Sequence, residues 1–175
     1  MWRFMLLVPI AACVVGSGSA GEHPLDEALA ILGPTPEAMG GCSDVIAYGH
    51  DADDTAGILV FVGGGLAETA RTTGAVQIGS YVLPDDEVTV QVLVGQEISQ
   101  QFCNDGGQGA VIDHQADAVS GRVDIEVDPQ GVVGVTDITA TVTLEDLLLE
   151  DPATGDEREL PSLVLEDVPV GWYPG

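Results

Sequence analysis

Two stretches of the chain alternate apolar and polar residues without a break. In Val119 to Asp128 (VSGRVDIEVD), Val119, Gly121, Val123, Ile125 and Val127 share one parity, and Ser120, Arg122, Asp124, Glu126 and Asp128 share the other. In Asp137 to Glu145 (DITATVTLE), Ile138, Ala140, Val142 and Leu144 alternate with Asp137, Thr139, Thr141, Thr143 and Glu145. A strand sends successive side chains to opposite faces, so each stretch predicts a strand with one apolar and one wet face. Asp128-Pro129-Gln130-Gly131 lies between them, and Pro second with Gly fourth predicts a turn.

Shorter runs of the same kind precede and follow this pair. Asp44 to Gly49 predicts a first strand, and Thr55 to Val62 (TAGILVFV) predicts a central one covered on both faces. Thr73 to Leu83 carries Val76 and Ile78 on one face and Gln77 and Tyr81 on the other. Glu87 to Gly95 sets Val88, Val90, Val92 and Val94 inward, Ile98 to Cys103 follows, and Val111-Ile112 is a weak strand signal. After Leu144 the next apolar residues are Leu147 and Leu149, one position out of phase, which predicts a bulge or a strand end near Glu145-Asp146. Asp151 to Asp156 reads as a turn, and Ser162 to Val170 as a late strand that Pro169 places at a sheet edge. Strands at this spacing, with frequent Gly and Pro and no helix pattern after Cys42, predict an all-β domain. The expected form is a single antiparallel β-sandwich of about seven to nine strands, Ig-like or jelly-roll-like, with a small β-barrel as the alternative. No Trp lies between the two later cysteines, so the immunoglobulin signature itself is absent.

The first 41 residues read differently. Arg3 precedes an apolar run, Phe4 to Val15, which is too short to span a bilayer, and Gly16 to Ala20 (GSGSA) is rich in small residues. Residues 1–20 are therefore expected to be an export signal cleaved after Ala20. A competing reading takes Ile10-Ala11-Ala12-Cys13 as a lipobox, with lipidation at Cys13. Residues 21–41 combine Gly and Pro with a short helix pattern, Leu25 to Leu32, that Gly33-Pro34 would stop; they read as a flexible tether. The folded domain is then expected to span 42–175.

Composition narrows the partners. The chain has 29 acidic residues against four arginines and no lysine, a formal net charge of −25. Such a surface repels phosphate backbones and anionic headgroups, which excludes nucleic acid and leaves a lipid anchor as the one route to a membrane. It also keeps a protein soluble and tolerates salt. Export leaves Cys42 and Cys103, an even pair in an oxidising compartment, and predicts a disulfide between them.

Candidate chemistry is sparse. Asp51, Asp53 and Asp54, beside His50, place three carboxylates on one turn, a set suited to a hard cation such as Ca²⁺. The helix-loop-helix calcium pattern fails, because its sixth and twelfth positions counted from Asp51 are Ala56 and Val62. Acidic turns also arise because Asp bonds its own backbone, and that reading competes. Leu144-Glu145-Asp146-Leu147 and Leu165-Glu166-Asp167-Val168 echo one another, and pairing of their strands would bring two acidic pairs together. His50, His114, Asp113 and Asp117 would form a metal or base site only if two loops met. No nucleophile elbow or phosphate loop is present, and Trp172-Tyr173 is the one aromatic pair. The expectation is an exported, non-enzymatic binding or structural module of the bacterial cell envelope or exterior. It would need no cofactor and would meet an unidentified protein or glycan; a third possibility is an inhibitor or adhesin presenting the loop Asn104 to Gly109. The alternative is an exported Ca²⁺-binding protein or metal-dependent hydrolase built on the acidic loops.

Overall fold

A computed structural model describes residues 23–103, 109–130 and 138–171. In chain order it contains α1 (Pro24–Leu32), β1 (Ala38–Cys42), β2 (Val45–His50), β3 (Ala56–Val62), α2 (Leu66–Thr73), β4 (Gln77–Leu83), β5 (Val88–Gln96), a 3₁₀ turn (Ile98–Gln101), β6 (Val111–Asp128), β7 (Ile138–Glu150) and β8 (Glu157–Val170). The eight strands form one antiparallel sheet in the order β1-β2-β3-β5-β6-β7-β8, curled into a half-barrel. β6 is long enough to take two partners along one edge: β5 against its first part and β4 against its second. The curl brings β8 back toward β1 and β2, where the Val164 N–H donates to the Pro34 carbonyl and the Gly171 N–H to that of Ser43. The expected all-β class and strand number hold. One continuous sheet whose ends approach each other stands between the sandwich and the barrel.

The alternating pair forms the centre of this sheet. β6 and β7 run antiparallel with Ile125 opposite Val142 and Val127 opposite Ala140. Val123, Ile125, Val127, Ile138, Ala140, Val142 and Leu144 are all buried on the concave side, as their parity requires. The turn reads only in part: the Asp128 carboxylate accepts from the Gln130 N–H, while Gly131 and Asp137 lie outside the described residues.

The phase shift after Leu144 is a bulge, and the strand continues through it. Arg122 pairs with Glu145 and Ser120 with Leu148, so Asp146 and Leu147 together oppose Gly121. Asp146 takes the extra turn in the left-handed region (φ 50°). Gly121 is required there: a Cβ on it would come within 2.8 Å of the Asp146 carbonyl oxygen. The echo is the same device. Between β7 and β8 the register slips by one residue, and Asp167 stands at φ 52°. In both copies two buried apolar residues flank an exposed Glu-Asp pair. Leu144 faces Leu163 and Leu147 faces Leu160, so the two acidic pairs do not oppose each other.

Two expectations are corrected, and one face that parity left unassigned is fixed. The tether expected over residues 21–41 contains ordered structure: α1 buries Leu25, Ala28 and Leu32 in the core, and β1 pairs with β2 from Ala38 to Cys42. Gly and Pro here shape tight connections: Gly33 closes α1, and Gly40 and Gly41 lie within β1, opposite Tyr48 and Ala47 of β2. A helix does follow Cys42: α2 buries Ala67 and Ala70 and is bounded by Gly65 and Gly74, both at positive φ. β4 turns Ile78 and Val82 outward, at 74% and 72% exposure, and buries Leu83 at its end. Gly79 and Tyr81 face inward, and Tyr81 packs against the core. Burial pushes the Tyr81 hydroxyl upward in pKa, reinforced by Glu87, Asp85 and Asp44.

Candidate functional site

The acidic turn is the first place to look for chemistry, and its carboxylates are already engaged. Asp51 follows β2 and is 4% exposed. Its Oδ1 accepts from the N–H groups of Thr55 (2.7 Å) and Ala56 (2.8 Å), and its Oδ2 from the Thr55 hydroxyl (2.9 Å). Burial alone would raise the Asp51 pKa, but the bonds from Ala56 and Thr55 outweigh it and hold the group below its ordinary value. Asp54 reaches across to the 3₁₀ turn, accepting from the Ser99 N–H at 2.8 Å and the Ser99 hydroxyl at 2.7 Å. Asp53 is exposed. The proposed calcium ligands therefore point apart: two face protein donors and one faces solvent. Among the described residues, no group of three or more His, Cys, Asp or Glu side chains is placed to hold a metal ion.

The same use of aspartate recurs. Asp151, 3% exposed, closes the β7–β8 connection by accepting from the Ala153 N–H, and its own N–H donates to the Asp156 carbonyl. The equivalent bond in the first turn runs from the Asp51 N–H to the Ala56 carbonyl. Asp44 caps α2 from a distant loop, its Oδ1 accepting from Ala67 (3.0 Å) and Glu68 (3.1 Å). These acids serve as acceptors for backbone donors that would otherwise be orphaned in turns and helix ends.

His50 and His114 are not brought together. The His50 Nδ1 lies 2.8 Å from the Asp51 carbonyl and 3.6 Å from Asp54. His114 on β6 pairs with Val94 and lies beside His23, the residue capping α1, with ring centres 6.4 Å apart. Asp117 accepts from Gln91 and Gln115, and Asp113 is the exposed residue left over where β5 and β6 slip register. The two-loop site does not form.

Cys42 and Cys103 are joined by a disulfide. It fastens the segment Ile98 to Cys103 over the convex face of β1–β3. Ile98 and Phe102 are buried there, Phe102 stacks on Tyr48 at 4.7 Å, and Asp54 anchors the segment through Ser99. The convex face of β1–β3 is thus covered by a stapled strap. Among the described residues, no element packs on the convex face made by β4, β6, β7 and β8. A depression of about 430 Å³ sits at the Asp146 bulge and is lined by Ser120, Asp146, Leu147, Leu148, Glu159, Leu160 and Pro161. It offers two acids and a hydroxyl.

Comparison with known protein families, curated proteins and solved structures found no match to this chain. No helix among the described residues is long and apolar enough to cross a membrane. The expected export signal of residues 1–20, the candidate lipidation residue Cys13, the loop body 104–108 and Trp172-Tyr173 lie outside the described residues. What sequence reasoning missed is the apolar outward face of β4. The available signal was the ten-residue run Ala75 to Pro84, uncharged in a chain that is 19% charged.

Proposed function

We propose that this chain is an exported, non-enzymatic binding or structural module of the bacterial cell envelope or exterior. The observation that carries the reading is the Cys42–Cys103 disulfide. Such a bridge persists where thiols are oxidised, and it accompanies the leader-like pattern of residues 1–20. Supporting it, the most reactive-looking groups, Asp51 and Asp54, act as structural acceptors in turns. The partner is a protein or glycan reached through the convex face of β4, β6, β7 and β8, with an anchor at Cys13 as the one link to a membrane.

The test is expression of the full chain in a bacterial host, followed by intact mass and cell fractionation. A mature chain beginning at Gly21 or a lipidated Cys13, with Cys42 and Cys103 oxidised, supports export. An uncleaved cytoplasmic chain with free thiols overturns it. Thermal unfolding with millimolar Ca²⁺ against ionic-strength-matched NaCl decides the ion-binding alternative. Equal shifts uphold the present reading, and a shift several degrees larger with Ca²⁺ replaces it.

A further inference from the structure

We propose that β4 is a docking edge for an extended, cationic segment of a partner protein, which joins the sheet as a further strand. This deepens the reading of the chain as a binding module and rests on it. β4 pairs with β6 along one edge, and among the described residues no strand pairs with its other edge. Its convex face presents Val76, Ile78 and Val82 at 46%, 74% and 72% exposure. An open, flat, apolar edge is an invitation to another chain, and proteins normally block one with charge, Pro or a bulge. β8 at the far end of the sheet is blocked in all three ways: Pro161 and Pro169, the bulge at Asp167, and Glu157, Arg158 and Glu159. β4 has none of these within its span.

The charge around β4 selects the occupant. In register, Ile78 stands opposite Glu126 and Ser80 opposite Asp124 on β6. A depression of about 310 Å³ runs from Ile78 across these acids to Thr141 and Thr143 of β7. Asp85, Asp86 and Glu87 are exposed just beyond the strand's end. The nearest cation, Arg122, is held by Asp124 at 2.7 Å. Strands lie about 4.8 Å apart, so a lysine or arginine opposite Ser80 on an added strand has about 10 Å to cover to reach β6. The depression lies along that path. Apolar residues two positions to either side would cover Ile78 and Val82. A second copy of this chain would bring another −25 charges against the same acidic rows, which disfavours it as the occupant.

The test uses the full chain and a fluorescent nine-residue peptide, Thr-Val-Thr-Lys-Thr-Val-Thr-Lys-Thr, whose one face carries valine and lysine in turn, read by anisotropy at 0.15 M salt. Ile78→Lys and Val82→Lys, both at solvent-exposed positions, are expected to weaken binding at least tenfold. Ala153→Lys makes the same charge change on an exposed turn and is expected to weaken it less than twofold. A peptide with N-methylated alternate amides loses the main-chain bonds and is expected to bind at least tenfold more weakly. Equal losses for Ile78→Lys and Ala153→Lys would mean diffuse adsorption to an acidic surface and would overturn the proposal. So would a dimer in light scattering that Ile78→Lys dissociates, since a second copy then occupies the edge. Slow exchange, without peptide, of the β4 amides that do not bond β6 would show that the chain covers its own edge, and would overturn the proposal as well. None of these outcomes bears on export, which the mature mass and the trapped disulfide decide.

Discussion

Replacing Asp51 separates a carboxylate that holds a turn from one that awaits a metal. Asp51→Ala removes three acceptor contacts at once, at 2.7, 2.8 and 2.9 Å. Hydrogen bonds to a charged group contribute roughly 1.5–3 kcal/mol each, but these three share one side chain and do not add. The Thr55 groups are only part-buried and can find water, whereas the Ala56 N–H is buried and is left without a partner. The expected loss is about 3 kcal/mol, near 6–12 °C in melting temperature for a chain of this size. Asp51→Asn keeps an oxygen at Oδ1 for both N–H groups and can donate to the Thr55 oxygen, so only charge assistance is lost, about 1 kcal/mol. The Asp51 pKa is depressed in the fold, so its contribution is complete above the ordinary carboxylate pKa near 4 and fades as pH falls through the folded value. Urea unfolding at pH 7 should therefore rank wild type, Asn and Ala in that order, and the gap between wild type and Asn should close below about pH 4. Equal losses for Asn and Ala, or a loss under 1 kcal/mol for Ala, would refute the turn-holding role.

Other substitutions probe the staple, the bulge and the distant cap. The double change Cys42→Ser and Cys103→Ser opens a loop with a sequence separation of 61; it should cost about 4 kcal/mol in urea unfolding, chiefly through the unfolded chain. Asp146→Gly should raise stability by about 0.5 kcal/mol by relieving a left-handed backbone, and Asp146→Ala should lower it by about 1 kcal/mol; equal effects of the two would remove the bulge from the account. Asp44→Ala should cost about 1 kcal/mol and speed amide exchange at Ala67 and Glu68 ahead of the sheet.

How much of this was legible depended on whether local pattern and tertiary role agreed. In β6 and β7 they agree completely: Val123 to Val127 and Ile138 to Leu144 alternate because one face packs on the core. The bulge was legible as a phase slip, and its second copy at Glu166-Asp167 is visible once Leu-Glu-Asp-Leu is understood as two buried residues three apart with the excess turned out. β1 was not legible, because Ala38-Met39-Gly40-Gly41-Cys42 has the composition of a loop. Its glycines make room for neighbours: a Cβ on Gly41 would meet the Pro169 carbonyl oxygen of β8 at 2.8 Å, and one on Gly40 would run into the Tyr48 ring of β2. α2 was hidden by its threonines and small size. Its marks were glycines at both ends, Ala67 and Ala70 on one side, and an ion pair from Arg71 to Glu68 one turn away. β4 was misleading because parity identifies two faces without saying which one the core takes. As for the acids, sequence shows that Asp51 and Asp54 cluster. Only the fold shows that Thr55, Ala56 and Ser99 supply the donors they accept from.

The acidity and the bare edge are two sides of one arrangement. Part of the negative charge is structural: Asp44, Asp51, Asp54 and Asp151 each accept backbone donors at turns, a helix start or the strap. The remainder lies outside with little to balance it, because each of the three arginines in the described residues is bound to an acid: Arg71 to Glu68, Arg122 to Asp124 and Arg158 to Asp26. A local gatekeeper on β4, such as a lysine or proline in place of Ile78 or Val82, would block every chain alike. A diffuse charge of −25 discriminates instead: it repels other copies of this chain over a Debye length while leaving the edge open to a basic strand. Keeping Ala75 to Pro84 free of charge is consistent with solubility only because the surrounding surface is so strongly of one sign, which ties the specificity of the edge to the composition of the whole chain.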